Sequence, residues 1–195
     1  VDLSKKIVAV HPGGGWISRR WQTEKFARLI DLIKEKYGAN IVLVGGKEGG
    51  ASEKGLNEEI ILQSATKDII DLTGKLNIKE LMAFFKICSL FIANEAGPMH
   101  IATALNTNAI AILGPTNARR TGPFKGNALI MQKKVKCQPC RNRKCITRYL
   151  RRQIQIMYLM KKGLCSPSGL SSPLSLSSIR VSFTAFYYEV YPRGP

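Results

Sequence analysis

The sequence predicts an α/β fold, a parallel sheet with helices on both faces, and three observations carry that expectation. Strand runs such as "IVAV" and "AIAIL" are apolar throughout, so their residues face a core on both sides of the sheet. Amphipathic helical patterns separate these runs, which is how parallel strands are connected. The length of 195 residues suits one domain of ordinary size, or one domain plus a tail, with a real core.

Each element has its own local cause. "KIVAVH" (6–11) reads as a buried strand, followed by a glycine-rich loop. "TEKFARLIDLIKEKYG" places Phe26, Leu29, Ile30, Ile33 and Tyr37 on one helical face, with Thr23 as the expected N-cap and Gly38 as the stop. "NIVLVGG" (40–46) is a second strand, and a polar helix follows from Ser52 to Ser64. A short strand is expected over 68–72, then a helix in "NIKELMAFFKIC" with Ile78, Leu81, Met82 and Phe85 on its apolar side. "LFIAN" (90–94) and "NAIAILG" (108–114) are strands flanking a short helix at 97–105.

Ligands of parallel sheets bind beyond the carboxyl ends of the strands. Four loops fall there: "HPGGGWISRRW" (11–21), "GGKEGGASE" (45–53), "NEAGPMH" (94–100) and "GPTNARRTGPF" (114–124). Gly13, Gly14 and Gly15 allow close backbone approach, helix N-termini offer unpaired amides, and arginines bring charge, a combination suited to phosphate. Taken singly, such glycines are also ordinary tight turns, and Arg19 and Arg20 a solvated pair. Pro98 suits a first helical turn, which places His100 beside the positive end of the helix dipole. An imidazole there can donate to a phosphate oxygen; a buried histidine bonded to a backbone carbonyl is the other reading.

The formal charge of +17 favours an anionic partner: nucleic acid, a phosphorylated ligand or an acidic membrane face. Residues 1–145 carry 23 Lys+Arg against 12 Asp+Glu, whereas residues 146–195 carry 7 against the lone Glu189. The texture changes with the charge: "CSPSGLSSPLSLSSIR" (165–180) has no periodicity. Residues 1–145 are therefore expected to form the domain, and 146–195 a basic, Ser-rich, poorly ordered tail that resembles out-of-frame translation. No run reaches the roughly 18 apolar residues of a membrane span and no signal peptide opens the chain, so a cytoplasmic location is expected.

"CQPCRNRKC" sets Cys137, Cys140 and Cys145 at C-x2-C-x4-C, with Cys165 as a distant fourth thiol and basic residues between. A zinc or nucleic-acid-binding module would use such residues, although a second close cysteine pair is missing. Cys88 ends an amphipathic pattern and is expected in the core. Trp16 and Trp21 flank the arginines; either could stack on a base, and Trp21 is the one expected to pack under the first helix.

The ordered series "HPGGGW", "RRWQTEKFARL", "VLVGG", "DLTGKLNIKEL", "IANEAGPMHIATALNTNAIAILGPT", "GPF" and "CQPCRNRKC", over about residues 5–145, resembles glycosyltransferase family 9, the bacterial lipopolysaccharide heptosyltransferases. That resemblance implies the C-terminal, Rossmann-like, donor-binding domain of a GT-B enzyme that transfers heptose with inversion from ADP-heptose, or a similar nucleotide sugar, to the lipopolysaccharide core. It implies that Arg19 neutralises donor phosphate, Glu53 holds the ribose, Leu76 lies against adenine, and Glu95, Gly97 and His100 form the phosphate and sugar loop. Two residues depart from the family pattern. Glu95 stands where Asp is usual, and Ala96 where Ser or Thr is usual, which lengthens one carboxylate and removes one hydroxyl. The acceptor half, with the carboxylate base, is expected to precede Val1, leaving the isolated chain inactive. No metal, organic cofactor or nucleic acid is expected, and a peripheral contact with the inner face of the inner membrane is. The cysteine cluster becomes a family feature.

Overall fold

The apolar runs pair in parallel, as their two-sided hydrophobicity demands. A computed structural model describes residues 4–46, 51–132, 135–140 and 142. The strands are β1 (Ile7–His11), β2 (Asn40–Leu43), β3 (Ile70–Asp71), β4 (Leu90–Asn94), β5 (Ala109–Leu113) and β6 (Ala128–Gln132). The helices are α1 (Thr23–Tyr37), α2 (Ala51–Gln63), α3 (Ile78–Ile87), α4 (Gly97–Ala104) and α5 (Ala118–Thr121). All six strands form one sheet in the order β3-β2-β1-β4-β5-β6. This is the doubly wound Rossmann order, in which the winding reverses between β1 and β4.

Alternation along each strand builds two cores. Val8, Val10, Ile41, Leu43, Leu90, Ile92, Ile110 and Ile112 face α1 and α2, where Phe26, Leu29, Ile30, Ile33 and Ile60 cover them. Ile7, Ala9, Val42, Val44, Phe91, Ala93, Ala109, Ala111 and Leu113 face the other side, against Phe85, Met99 and Ala102 of α3 and α4. Each fully buried Leu, Ile or Phe stabilises the fold by about 1.5–3 kcal/mol relative to an exposed one.

Several local expectations need correction. Thr23 is the first helical residue rather than the N-cap, which is Gln22, without a capping side-chain hydrogen bond. Gly38 ends α1 as read, at φ 60°, where a side chain would be strained. α3 rotates its face relative to the apolar spacing: Ile78 and Met82 are exposed, and Phe84 and Phe85 point inward with Leu81. Its start is set by Asn77, whose Oδ1 accepts from the Lys79 and Glu80 amides while the Glu80 carboxylate accepts from the Asn77 amide. α5 and β6 were not read from the sequence. The expected tail, residues 146–195, lies outside the described residues.

Candidate functional site

The winding reversal puts the loop after β1 next to the loop after β4, since His11 is in register with Ala93. Asn94, fully buried at the end of β4, ties them together: its Nδ2 donates to the Pro12 carbonyl (2.7 Å) and its Oδ1 accepts from the Trp21 amide (3.1 Å). Arg20 folds back on the same loop, Nε donating to the Gly14 carbonyl at 2.7 Å. A short 3-10 turn at Ile17–Arg19 then carries Arg19 towards β4.

Arg19 and Glu95 meet there. Nη1 of Arg19 lies 3.0 Å from Oε1 of Glu95, a charge contact without hydrogen-bond alignment, and the guanidinium carbon stands 3.9 Å from the centroid of the Trp16 ring. The second carboxylate oxygen of Glu95 accepts from the Thr116 hydroxyl. Glu95 is thus buried and turned inward, positioning Arg19 and the loop after β5 rather than facing out towards a sugar. Buried Nε of Arg19 has no hydrogen-bond partner among the described residues, and the side chain as a whole is 23% exposed.

The loop after β5 is held from outside. Gln132 Nε2 donates to the Gly114 and Thr116 carbonyls (2.6 and 2.9 Å), Gln138 Nε2 donates to Thr116 (3.1 Å), and the Cys140 amide donates to Pro115 (2.7 Å). A Cβ on Gly114 would come within 2.7 Å of the Ser18 carbonyl, so glycine permits the close approach of β5 to the 3-10 turn. Among the described residues no group of three potential metal ligands forms; Cys137 is exposed and Cys140 half-buried, whereas Cys145 and Cys165 lie outside the described residues. Described residues of the cysteine segment therefore brace the loop after β5.

α4 begins beside Glu95. Ala96 is its N-cap, with no side-chain cap; Gly97 and Pro98 open the first turn, and His100 is exposed within it. Exposure removes the reading of His100 as a buried core histidine. The Gly97 amide is among those a helix leaves without an internal acceptor. A Cβ on Gly97 or Gly15 would meet nothing within 4 Å, so open space lies over these two backbones, whereas Gly14 is buried and packed against Arg20.

Gly13 differs: a Cβ there would come 2.5 Å from Oε1 of Glu53 and 2.8 Å from the His11 ring. Oε2 of Glu53 accepts from the Gly46 amide at 2.9 Å, and Oε1 is 3.9 Å from Nε2 of His11. His11 Nδ1 lies 3.0 Å from the Val44 carbonyl, which makes Nδ1 the protonated nitrogen and leaves the buried Nε2 without a partner among the described residues. Burial pushes the His11 imidazole below its ordinary pKa, opposed by the Glu53 carboxylate and the Val44 carbonyl. Leu76 sits half-buried in the loop after β3, two strands further along the same edge.

All ten sequence-derived positions thus lie at one edge of the sheet. The structure pairs Arg19 with Glu95 and packs the Glu53 carboxylate close over Gly13. Asn94, Thr116, Gln132 and His11 were missed as organising residues; the only signal was a polar residue closing an otherwise apolar strand or starting a turn.

A doubly wound sheet with a glycine-rich loop and a helix N-terminus at its winding reversal defines a Rossmann-like α/β domain. The chain belongs to glycosyltransferase family 9 (heptosyltransferase), whose family model matches residues 1–150. It is 33% identical over 145 residues to lipooligosaccharide heptosyltransferase 2 of Campylobacter jejuni, covering 72% of this chain and 44% of that protein. Lipopolysaccharide heptosyltransferase 3 of Escherichia coli K12 is 33% identical over 129 residues, covering 66% and 37%. Among solved structures, a family 9 glycosyltransferase from Veillonella parvula superposes with TM-score 0.60 at 26% identity, over 68% of this chain and 36% of that one. The ADP-heptose lipopolysaccharide heptosyltransferase II of E. coli shares the fold, with TM-score 0.62 at 21% identity over 83% and 48%. The chain spans less than half the length of each of these relatives.

Proposed function

We propose that these residues form the donor half of a glycosyltransferase that moves heptose from a nucleotide-diphosphate heptose, ADP-heptose in the first instance, to the lipopolysaccharide core with inversion. The observation that carries this reading is the Arg19–Glu95 pair beside the open, uncapped N-terminus of α4 with His100 exposed in its first turn. Relatives whose names specify heptosyl transfer support it.

In such a reaction the acceptor hydroxyl loses its proton to a base, its oxygen attacks the anomeric carbon, and the bond to the diphosphate breaks with both electrons leaving on the β-phosphate. Negative charge grows on that phosphate. In this reading the amide of Gly97, the imidazole of His100 and the guanidinium of Arg19 stabilise it. Leu76 offers an apolar contact to the nucleobase, and Glu53, which accepts from the Gly46 amide, supports the ribose. We place the deprotonating base outside these 195 residues. The acceptor is anchored at a membrane surface, and the domain works at the cytoplasmic face of that membrane.

Binding of ADP and ADP-heptose to the purified chain tests the reading, followed by thermal unfolding. Saturating ligand raises the midpoint by mass action if the donor site is here; no shift at millimolar nucleotide contradicts it.

A further inference from the structure

The connection from α5 to β6 displays a fully solvent-facing aromatic ring among cations. Phe124 is 99% exposed, and Arg119, Arg120 and Lys125 beside it are exposed as well. We propose that this connection docks on a bilayer rich in acidic phospholipid, with Phe124 inserting between the chains and Arg119, Arg120 and Lys125 meeting the headgroups. The proposal rests on the membrane-bound acceptor proposed above, and gives that contact a surface.

Two features make the display a built one. The segment is pinned at both ends by glycines that nothing larger can replace: a Cβ on Gly122 would lie 2.5 Å from the Ala118 carbonyl, and one on Gly126, at φ 95°, would overlap the Thr103 carbonyl at the end of α4. Asn117 caps the single turn of α5 by accepting from the Arg119 amide at 3.0 Å. Held in this way, the loop turns residue 124 outward although apolar cores lie close by on both faces of the sheet.

Charge selects the occupant. Between residues 96 and 132, all of them described, Arg119, Arg120 and Lys125 are the cationic side chains and there is no Asp or Glu. Acidic headgroups complement such a surface, and an aromatic ring at its centre suits the interfacial layer. A soluble polyanion would answer the charges and leave the ring in water.

Co-flotation of the full chain with vesicles of phosphatidylcholine and phosphatidylglycerol, against phosphatidylcholine alone, tests this. Binding is expected only to the acidic vesicles. Arg119→Glu with Arg120→Glu should weaken it about fivefold or more per side chain, while Lys79→Glu with Lys86→Glu, exposed residues of α3 carrying the same change of charge, should change it by less than about twofold. Phe124→Ser should weaken binding about tenfold. Phe124→Trp should shift its emission to the blue on the vesicles and be quenched by bromine-labelled lipid. Equal losses from the two charge-reversed pairs, or an unshifted Phe124→Trp, would overturn the proposal. So would displacement from the vesicles by a soluble phosphorylated core oligosaccharide, which would make the patch a saccharide site. A wild-type dimer that Phe124→Ser converts to monomer, with no vesicle binding, would assign it to a second copy. ADP binding, measured on every variant, separates the two readings: vesicle binding through the patch without any ADP binding would keep this proposal and reject the donor site.

Discussion

Glu95 holds Arg19 in place: Oε1 and Nη1 are 3.0 Å apart, with the carboxylate buried and the guanidinium lying over Trp16. A cation at the winding reversal is therefore partly neutralised and oriented before any ligand arrives. The longer carboxylate at residue 95 reaches both Arg19 and the Thr116 hydroxyl, linking the loops after β1, β4 and β5.

That linkage predicts strong coupling between the two residues. In a double-mutant cycle with Arg19→Met and Glu95→Gln, denaturant unfolding should give an interaction energy of about 1–3 kcal/mol. Additive losses would mean that the pair contributes nothing to holding the loops.

Ala96 leaves the N-terminus of α4 without a side-chain cap. Ala96→Ser should stabilise the domain by about 1 kcal/mol in urea unfolding, because the hydroxyl accepts from first-turn amides. An unchanged or lowered midpoint would show that those amides are already satisfied.

Asp31 of α1 fastens the exit of α2 by accepting from the Ser64 hydroxyl, the Ala65 amide, and the Thr66 amide and hydroxyl. Burial raises its pKa, but these four hydrogen bonds outweigh it and hold the carboxyl below the usual value of 3.8. Asp31→Ala should cost about 2 kcal/mol at neutral pH. Because the folded-state pKa is the lower one, the stabilisation is complete above 3.8 and declines as pH falls through the folded value. Unfolding curves of wild type and variant should converge in that acid range; a gap that persists there would remove the carboxylate as its cause.

Burial pushes the Cys88 thiol up to about 12, whereas Cys137 is exposed. Brief treatment with iodoacetamide at neutral pH should alkylate Cys137 and spare Cys88 in peptide mapping. Prompt modification of Cys88 in folded protein would contradict its place behind α3.

How much of this was legible in the sequence depends on how local each cause is. Gly38, the apolar face of α1 and the strand runs of β1, β2, β4 and β5 follow from neighbours a few residues apart, and they stand where periodicity put them. β6 is a half-buried edge strand and α5 a single turn, so neither carries enough pattern to read. The exposed side of α3 escaped notice because Ile78 and Met82 fit a helical stripe that Phe84 and Phe85 in fact bury. In the site, the glycines, Arg19 and His100 were legible as residue types suited to phosphate. The organising contacts were not: Asn94 meets Pro12 across 82 positions and Thr116 meets Glu95 across 21, distances over which only the fold decides pairing.

The central claim is that the open N-terminus of α4 binds a diphosphate through His100, and calorimetric titration of wild type and His100→Ala with ADP and with adenosine tests it most directly. ADP binding should weaken by about 1.5–3 kcal/mol, the range for a hydrogen bond to a charged group, while adenosine binding and the unfolding midpoint stay nearly unchanged. An equal loss for both ligands, or no loss for either, would contradict the account.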